Sequence, residues 1–573
     1  MALPNALTID SLIDPSLIIR AQKLLESFPY SPWQTAGITA GSLVLYQVSK
    51  LLKMWWIDPY FSPLKYLPGP ETYESIIWGN FKKILSTQNS VVHEEWFEKY
   101  GHVIHYRTFL LSRRLATKDP RALAHILNHA YDYPKPPQIR EGLQKLFGHG
   151  DDHRRQRKIM NPSFGPAQIR NLLPVFYDKA NELKEIWLRQ IAESGSDDIE
   201  VDAHVLLTQV TLDVVGLAGF GYDFNCLMDG EKNELVRAFL ELFTPPKSLP
   251  LLDLMANWFP ILGRIPTENS RRTAHSRSVM QRVGQKLLDE RRAAILAEAT
   301  GGASTVDKKS VSGKDIFSVM IKANLAQDIK DSERMTDQEV IDQIITIVIA
   351  GHETTGTYLD WLLYELSRPE NQHIQSKLRE ELLSVSSDRP TMEELNALPY
   401  LDAVIRENLR KNSVVDGTIR CAEKDDIIPL ATPFIDRNGI KRNEIRIKAG
   451  EQVFINIALL NRNKEIWGDD ALEFNPSRWL DDGPRTKSVE LPSIFSKSMT
   501  FLAGPRACIG YRFALMEIKV LVFTIFREIA FELPSPAPPI ENGPALITRP
   551  IIKDTDGTSK NTMPLVLKLA QHD

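Results

Sequence analysis

One cysteine, Cys508, lies in the segment FLAGPRACIG at residues 501–510, with a glycine on either side of it. As a thiolate, a cysteine can bind haem iron and donate enough electron density to favour cleavage of an O–O bond. Gly504 and Gly510 have no Cβ, so the backbone can pass close beneath a flat macrocycle and turn sharply. The spacing therefore predicts that Cys508 is the axial ligand of a haem iron.

Arg506 and Phe501 support the same interpretation. A planar guanidinium two residues before the ligand suits a haem propionate, and the Phe501 ring would shield the sulfur. A helix predicted from about Tyr511 to Phe531 would direct backbone N–H groups at the sulfur. The chain has only three cysteines. Chance matches to the five fixed positions are then expected on the order of 10⁻⁵ times, so a buried structural Cys508 is the weaker alternative.

A long helix is predicted within residues 335–370. Thr336 and Glu339 have the spacing of a capping box at its start, and Pro369 marks its end. About 30 residues give a helix of ~45 Å. Such a helix can cross a whole domain.

Small and polar residues interrupt the apolar stripe of this helix at residues 350–355, AGHETT. Gly351 weakens a helix, and adjacent threonine hydroxyls compete for backbone carbonyls, which predicts a local bulge and a widened groove. Beside a haem, the Thr354 hydroxyl and the Glu353 carboxylate would relay protons to bound oxygen. The alternative is a helix kink with a solvated Glu353.

A charge cluster is predicted from two further segments. Glu407 and Arg410, in ENLR, are three residues apart and share one helical face. On a surface such a pair contributes at most about 1 kcal/mol. Arg478, in EFNPSRWL, supplies another cation. We expect the three side chains to form a buried cluster that holds the loops on the haem side.

Composition indicates a globular enzyme, with 43% hydrophobic and 25% charged residues. Most of the chain has helical periodicity, while residues 102–116 and 425–458 have strand-like patterns, so the predicted fold is mainly α with small β-sheets (α+β). A net charge of -4 without a basic tail argues against a nucleic-acid partner. Cys226, Cys421 and Cys508 do not form a disulfide framework.

The N-terminal residues suggest contact with a membrane. Residues 36–48 are apolar, but a spanning helix needs about 20 such residues. Lys50 and Lys53 follow, as expected on the cytosolic side, and the amphipathic residues 16–25 suit a bilayer surface. We predict that residues 1–62 are membrane-associated, by spanning or by lying on the bilayer. An ordinary buried helix is the alternative.

With AGHETT, ENLR, FNPSRW and FLAGPRACIG in this order, the chain resembles the cytochrome P450 family from about Pro68 to the C-terminal region. The resemblance implies one haem-thiolate monooxygenase domain over residues 63–573, with the long helix over the haem and the Cys508 loop beneath it. It implies haem b as cofactor and O2 as co-substrate. No GxGxxG fingerprint opens a βαβ unit, so NADPH electrons are expected through a separate flavoprotein reductase. That reductase is expected in the endoplasmic reticulum membrane, with the catalytic domain in the cytosol.

Two weaker matches to the family contain residues that are expected to contact the haem propionates. The resemblance places His153 and Arg157 of HRRQRKIMNPSF, and Arg420 of TIRCAEKDD, beside them. His153 stands where the family usually has Trp, but it retains a hydrogen-bond donor. Residues 411–413, Lys-Asn-Ser, depart from the apolar residue and prolines that usually follow Arg410. Because this segment lines the substrate side in the family, we expect either unusual specificity or a tolerated change.

The resemblance implies insertion of one oxygen atom from O2 into a lipophilic small molecule. A secondary metabolite such as a terpenoid, a fatty acid or an aromatic compound would suit the site. The alternatives are a haem-thiolate isomerase or dehydratase, and a non-catalytic haem-binding module. The proton-relay pair Glu353 and Thr354 argues against both.

Three further regions are predicted to contact ligands or partners. The residues expected near the substrate are Ile347, Ala350, Thr354, Val414 and Val415. The apolar, proline-rich residues 243–266 resemble a mobile part of the family fold that touches the membrane. The basic run is expected either to dock an acidic reductase or to be a solvated face. That run consists of Arg154, Arg155, Arg157 and Lys158.

Overall fold

The computed structural model describes most of the chain after residue 31. The described residues are 32–53, 57–86, 90–147, 153–243, 265–300, 315–325, 330, 333–480, 491–543, 547–553 and 559–570. The helices are numbered here in chain order. They are α1 Pro32–Leu52, α2 Asp58–Phe61, α3 Phe81–Ser86, α4 Val91–Tyr100, α5 Pro120–Asn128, α6 Pro137–Phe147, α7 His153–Met160, α8 Pro166–Ser194, α9 Ala203–Val214, α10 Cys226–Asp229, α11 Glu234–Phe243, α12 Glu268–Thr300, α13 Ile316–Leu325, α14 Asp337–Ser367, α15 Gln372–Leu383, α16 Met392–Asn396, α17 Pro399–Lys411, α18 Ile457–Arg462, α19 Lys464–Trp467 and α20 Tyr511–Phe526.

The strands form small sheets. They are β1 Val103–Arg107, β2 Arg113–Thr117, β3 Asp198–Asp202, β4 Gly417–Cys421, β5 Asp426–Ile435, β6 Lys441–Ile447, β7 Gln452–Asn456, β8 Ile529–Glu532, β9 Glu541–Asn542, β10 Pro550–Lys553, β11 Ser559–Asn561 and β12 Pro564–Leu569. The sheet orders are β1-β2-β7-β4, β3-β12-β8, β11-β10-β9 and β5-β6. The β2–β7 pair is parallel and the other pairs are antiparallel.

The predicted fold class, mainly α with small sheets, is confirmed. Strands occur where residues 102–116 and 425–458 predicted them. Residues 457 and 458, in the second region, are helical and not part of a strand. Asn456 caps helix α18, because its side chain accepts a hydrogen bond of 2.9 Å from the Leu459 amide. An Asn in that position satisfies one of the free N–H groups of a first turn. The chain therefore changes from strand to helix within an apolar run.

Helix α14 confirms the predicted long helix, with 31 residues from Asp337 to Ser367. The capping box is complete: the Glu339 amide donates to the Thr336 hydroxyl at 3.2 Å, and the Thr336 amide donates to the Glu339 carboxylate at 2.8 Å. Arg368, the residue before Pro369, is extended, as the ring of a following proline favours. Helices α8, α9 and α20 belong with α14 to one apolar core.

The helix after Cys508 is shorter than predicted, because α20 ends at Phe526 and not near Phe531. Ile529 and Phe531 belong to strand β8, where they are fully buried and alternate with partly exposed neighbours. That alternation has a period of two, which suits a sheet and not a helix. Pairing with β12 therefore ends the helix.

The N-terminal helix α1 has 21 residues, from Pro32 to Leu52, and includes the apolar residues 36–48. Across the part of the chain that the structure describes, no helix has the length and apolar character needed to cross a membrane. The amphipathic residues 16–25 lie outside the described residues.

Candidate active site

The Cys508 loop is held by short turns before it and by helix α20 after it. The Cys508 amide donates to the Phe501 carbonyl at 2.9 Å. Gly504 has a φ of +70°, and a Cβ there would lie 2.2 Å from the Leu127 carbonyl oxygen. A side chain at residue 504 is thus excluded both by its backbone conformation and by a close neighbour. Glycine at residue 504 therefore allows the turn that precedes Cys508, which lines a cavity.

That cavity lies between the Cys508 loop and helix α14. It consists of two adjoining volumes, of about 500 and about 270 Å³. The residues that line both are His153, Ala350, Thr354, Thr355, Phe501, Cys508 and Ala514. The motifs from residues 350–355 and 501–510 therefore meet at one site, as the resemblance implies.

Cys508 has exposed surface and lines the cavity, while protein surrounds its thiol group. Burial raises the pKa of the Cys508 thiol, which a hydrogen bond from the Gly510 amide and the charge of Arg157 only partly offset. A metal cation bound to the sulfur would hold it as a thiolate. The chemistry of this residue fits an iron ligand.

Cations crowd together at the larger volume of the cavity. Lys135, Arg420 and Arg506 all line it. Burial and the two arginines lower the pKa of Lys135 to about 8, and burial and Arg506 lower that of Arg420 to about 10. Within the described ranges, the buried Nη1 of Arg420 and Nδ1 of His153 have no hydrogen-bond partner. An anionic ligand would satisfy these donors, so the site fits the two carboxylates of a haem.

His153 and Arg157 differ in what they contact. Burial, with Arg506, Arg157 and Arg420 nearby, lowers the pKa of His153 to about 4, so a neutral ring faces the cavity. Arg157 also lines the cavity, but its Nη1 donates to the Ala507 carbonyl at 2.5 Å. Arg157 therefore holds the backbone next to Cys508.

Thr354 lies on the cavity wall, and its hydroxyl donates to the Ala350 carbonyl at 2.6 Å. Helix α14 nevertheless continues through residues 350–355, so the predicted bulge is absent from this described segment. The reason is that a carbonyl oxygen has two lone pairs and can accept a second donor without losing the first. Gly351 instead allows the Val215 side chain to pack closely against α14, since a Cβ at residue 351 would be 2.7 Å from it.

Glu353 is buried and forms an ion pair with Arg549, from the segment that precedes β10. Its carboxylate is also 3.7 Å from Nε2 of His352. Burial alone would raise the pKa of Glu353, but Arg549 and His352 outweigh it and hold that pKa below its ordinary value. Thr354 therefore faces the cavity, while its predicted partner Glu353 is an ionised group held by Arg549.

The predicted charge cluster is brought together and buried. Arg410 donates to both carboxylate oxygens of Glu407, at 2.9 and 2.7 Å, and neither side chain is exposed. Arg478 lies 3.7 Å from the same carboxylate and 2.6 Å from Asp470. The hydroxyl of Thr500 donates to the carbonyl of Leu409 at 2.6 Å. The cluster is thereby joined to the Cys508 loop.

The Lys-Asn-Ser departure at residues 411–413 contacts other elements and not the cavity. Lys411 and Asn412 bind the Glu365 carboxylate of α14, at 2.9 and 3.0 Å. The Ser413 hydroxyl accepts from Asn461 at 2.9 Å. The segment reaches the cavity from Val414 onward. Lys411, Asn412 and Ser413 therefore hold the end of α17 against α14 and α18.

All residues predicted near the substrate line the cavity: Ile347, Ala350, Thr354, Val414 and Val415. Most of residues 243–266 lies outside the described residues. In the basic run, Arg155 forms an ion pair with Glu339 at the start of α14. Arg154 and Lys158 are exposed.

Glu517 was not predicted as part of the site. It is fully buried on α20, and its carboxyl lies beside the Thr355 hydroxyl, although neither oxygen forms a hydrogen bond of normal geometry among the described residues. Burial raises its pKa well above the usual range. A lone acid within the apolar run LMEIKVLVF was the signal that could have identified it. Arg549 and Asp470 gave no comparable signal.

Known proteins resemble the chain over most of its length. A sequence model described as Cytochrome P450 matches residues 68–553. Cytochrome P450 monooxygenase 205 of Postia placenta is 42% identical over 88% of this chain and 93% of its own. Cytochrome P450 monooxygenase 128 of the same fungus is 40% identical, over 94% and 97%. Cytochrome P450 monooxygenase claO of Ampulloclitocybe clavipes is 34% identical, over 90% and 95%.

Proposed function

The chain belongs to the cytochrome P450 family, and on that premise we propose that it oxidises a lipophilic small molecule with electrons from a separate NADPH-dependent flavoprotein reductase. The observation that carries the substrate class is the apolar wall of the cavity next to Cys508. Its apolar lining residues include Ile349, Val414, Val415, Leu409 and Ile547. An apolar wall of this kind, beside the haem, suits a terpenoid, a fatty acid or an aromatic metabolite.

Cys508 would hold the iron, and Arg420, Arg506 and His153 would hold the carboxylates of haem b. When bound, the haem supplies the activation of O2. The protein's own part is to orient the cofactor and to keep water from the apolar side of the cavity. Phe501 lines the cavity together with Cys508 and would shield the sulfur.

Proton supply is assigned to Thr354 and Glu353. The Thr354 hydroxyl can rotate between the Ala350 carbonyl and a group in the cavity, so it can donate a proton there. Glu353, the preceding residue, is ionised and can accept a proton from the protein side. This division of roles supports oxygen activation over an isomerase or a passive haem carrier, since neither of those needs a supply of protons.

The reductase is proposed to approach the exposed Arg154 and Lys158, which lie on either side of Arg157 in the sequence. The Arg157 guanidinium in turn donates to the carbonyl of Ala507, the residue before Cys508. Opposite charge on the partner would speed the encounter. Residues 1–62 are proposed to attach the protein to the endoplasmic reticulum membrane, and residues 63–573 to form one catalytic domain facing the cytosol.

Two measurements on the purified protein test the function. Reduced protein with CO should give the absorption band of a thiolate-bound haem, and NADPH with a microsomal reductase should drive O2 consumption. A panel of terpenoids, fatty acids and aromatic compounds should then include ligands that shift the ferric spectrum. A missing CO band would refute the cofactor assignment, and a panel without any spectral shift would refute the substrate class.

A further inference from the structure

A stripe of buried polar residues crosses the side of helix α14 next to helix α9. Glu353, Thr357 and Asp360 occupy positions i, i+4 and i+7, so they share one helical face. All three are at most 7% exposed. The two helices approach closely here, since a Cβ on Gly356 would be 3.3 Å from the Thr211 hydroxyl.

The outer end of the stripe reaches His204, in the first turn of α9. Nδ1 of His204 lies 2.7 Å from the Asp360 carboxylate. Asp360 is completely buried, whereas 15% of the His204 side chain is exposed. The carboxylate of Asp202, which caps α9, accepts from the His204 amide and from the Thr562 hydroxyl. His204 therefore connects the buried stripe with solvent.

Two polar atoms along the stripe are left open. Among the described residues, the Thr357 hydroxyl and Oδ1 of Asp360 have no hydrogen-bond partner. Buried polar atoms of this kind normally bind ordered water. Glu353 and Asp360 are about 10 Å apart along the helix axis, so Thr357 with two waters is a suitable bridge between them.

The pKa values are shifted in opposite directions at the two ends of the stripe. Burial opposes a charge on His204, but Asp360, Glu353 and Asp202 raise its pKa above the ordinary value. Burial also raises the pKa of Asp360, more than His204 lowers it. Both shifts favour the protonated form at the His204–Asp360 end of the stripe, while Arg549 and His352 hold the pKa of Glu353 below its ordinary value.

We propose that His204, Asp360 and Thr357, with two bridging waters, form the path by which solvent protons reach Glu353. His204 gives one proton to the path, Glu353 receives one and passes it on through the Thr354 hydroxyl to the cavity, and solvent returns one to His204. The path therefore ends each transfer with the charge it had at the start. This inference rests on the proposed function, because Glu353 is the group that the path supplies.

The kinetic test compares full-length holoenzymes in NADPH-driven O2 consumption with a microsomal reductase, in H2O and in D2O. Thr357→Val removes the hydroxyl at constant shape and Asp360→Asn removes the acid. Each should slow the reaction about tenfold and increase the H2O/D2O rate ratio. Thr357→Ser should restore the wild-type rate, which a merely structural role for the methyl group would not predict.

Ser367→Ala is the matched control, because the Ser367 hydroxyl is also buried on α14 and has no partner among the described residues. It is about 21 Å from Glu353 along the helix, and its loss should change neither rate. If Thr357→Val and Asp360→Asn behave like Ser367→Ala, the path is refuted.

A crystal structure of the ferric protein gives a readout that is independent of turnover. Ordered water within hydrogen-bond distance of the Thr357 hydroxyl and of Oδ1 of Asp360 supports the path, and a dry interface refutes it. The wild-type CO band separates the two hypotheses. A normal band with unaffected variants overturns the path alone, whereas a missing band overturns the proposed function and leaves the water positions to decide the path.

Discussion

Arg410 and Glu407 form a two-pronged ion pair in which neither side chain exposes any surface. Three backbone carbonyls, those of Asn461, Ala471 and Glu473, accept the remaining guanidinium hydrogens. A fully satisfied pair of this kind costs little as long as both members are present. Removing one member leaves a buried charge without compensation.

Arg410→Met should therefore lower the free energy of unfolding by about 3 to 5 kcal/mol. Urea unfolding followed by circular dichroism measures the change. Lys83→Met, on the exposed pair with Glu95, is the control and should cost at most about 1 kcal/mol. Similar small losses in both variants would show that the cluster does not stabilise the fold.

Thr354→Ala should keep the haem but release most reducing equivalents as hydrogen peroxide, because the cavity wall loses its proton donor. The product formed per NADPH should fall on the order of 10²-fold. Thr346→Ala is the control, since Thr346 also lines the cavity and bonds back to the Asp342 carbonyl of its own helix. Undiminished coupling in Thr354→Ala would refute its role.

Arg549→Met should remove the main cause of the low pKa of Glu353. In the wild type, this depressed pKa stabilises the fold above the unfolded value of 4.5, and the contribution is lost as pH falls through the folded pKa. The stability difference between wild type and variant should thus be about 3 kcal/mol at neutral pH and shrink below pH 4.5. Thermal unfolding across the pH range tests this, and a pH-independent difference would contradict it.

Charge reversal of Arg154 and Lys158 should slow reductase-supported turnover at low salt, by about tenfold. Peroxide-supported turnover should remain unchanged, because it bypasses the reductase. Equal losses in both assays would contradict docking at this surface. Arg155→Glu is a useful contrast, since it breaks the pair with Glu339 at the start of α14 and should lower stability in addition.

Patterns among neighbouring residues predicted the helices and motifs of the site. Contacts between residues far apart in the sequence could not be predicted in this way. The capping box of α14 depends on Thr336 and Glu339, three residues apart, so a reader of the sequence can find both ends of the interaction. Arg549 is 196 positions from Glu353, and no pattern in either segment indicates that pairing. The end of α20 was misjudged because an apolar run that includes Ile529 and Phe531 suits a helix and a buried strand equally well.

The contacts of residues 411–413 favour a tolerated change over unusual specificity. A segment that approaches the cavity can direct its side chains elsewhere, and Lys411 and Asn412 bind Glu365. Direction depends on the backbone at each residue, which neighbouring sequence does not determine. Val414 and Val415 line the cavity, where apolar side chains are favoured at an apolar wall.

The crowding of Lys135, Arg420 and Arg506 has a consequence for how the protein matures in the cell. Until a dianionic cofactor arrives, these three cations repel one another in a partly buried space. Newly made chains should therefore be less resistant to proteases than the finished enzyme. Haem supply, more than synthesis of the polypeptide, should limit the yield of the protein in an expression host.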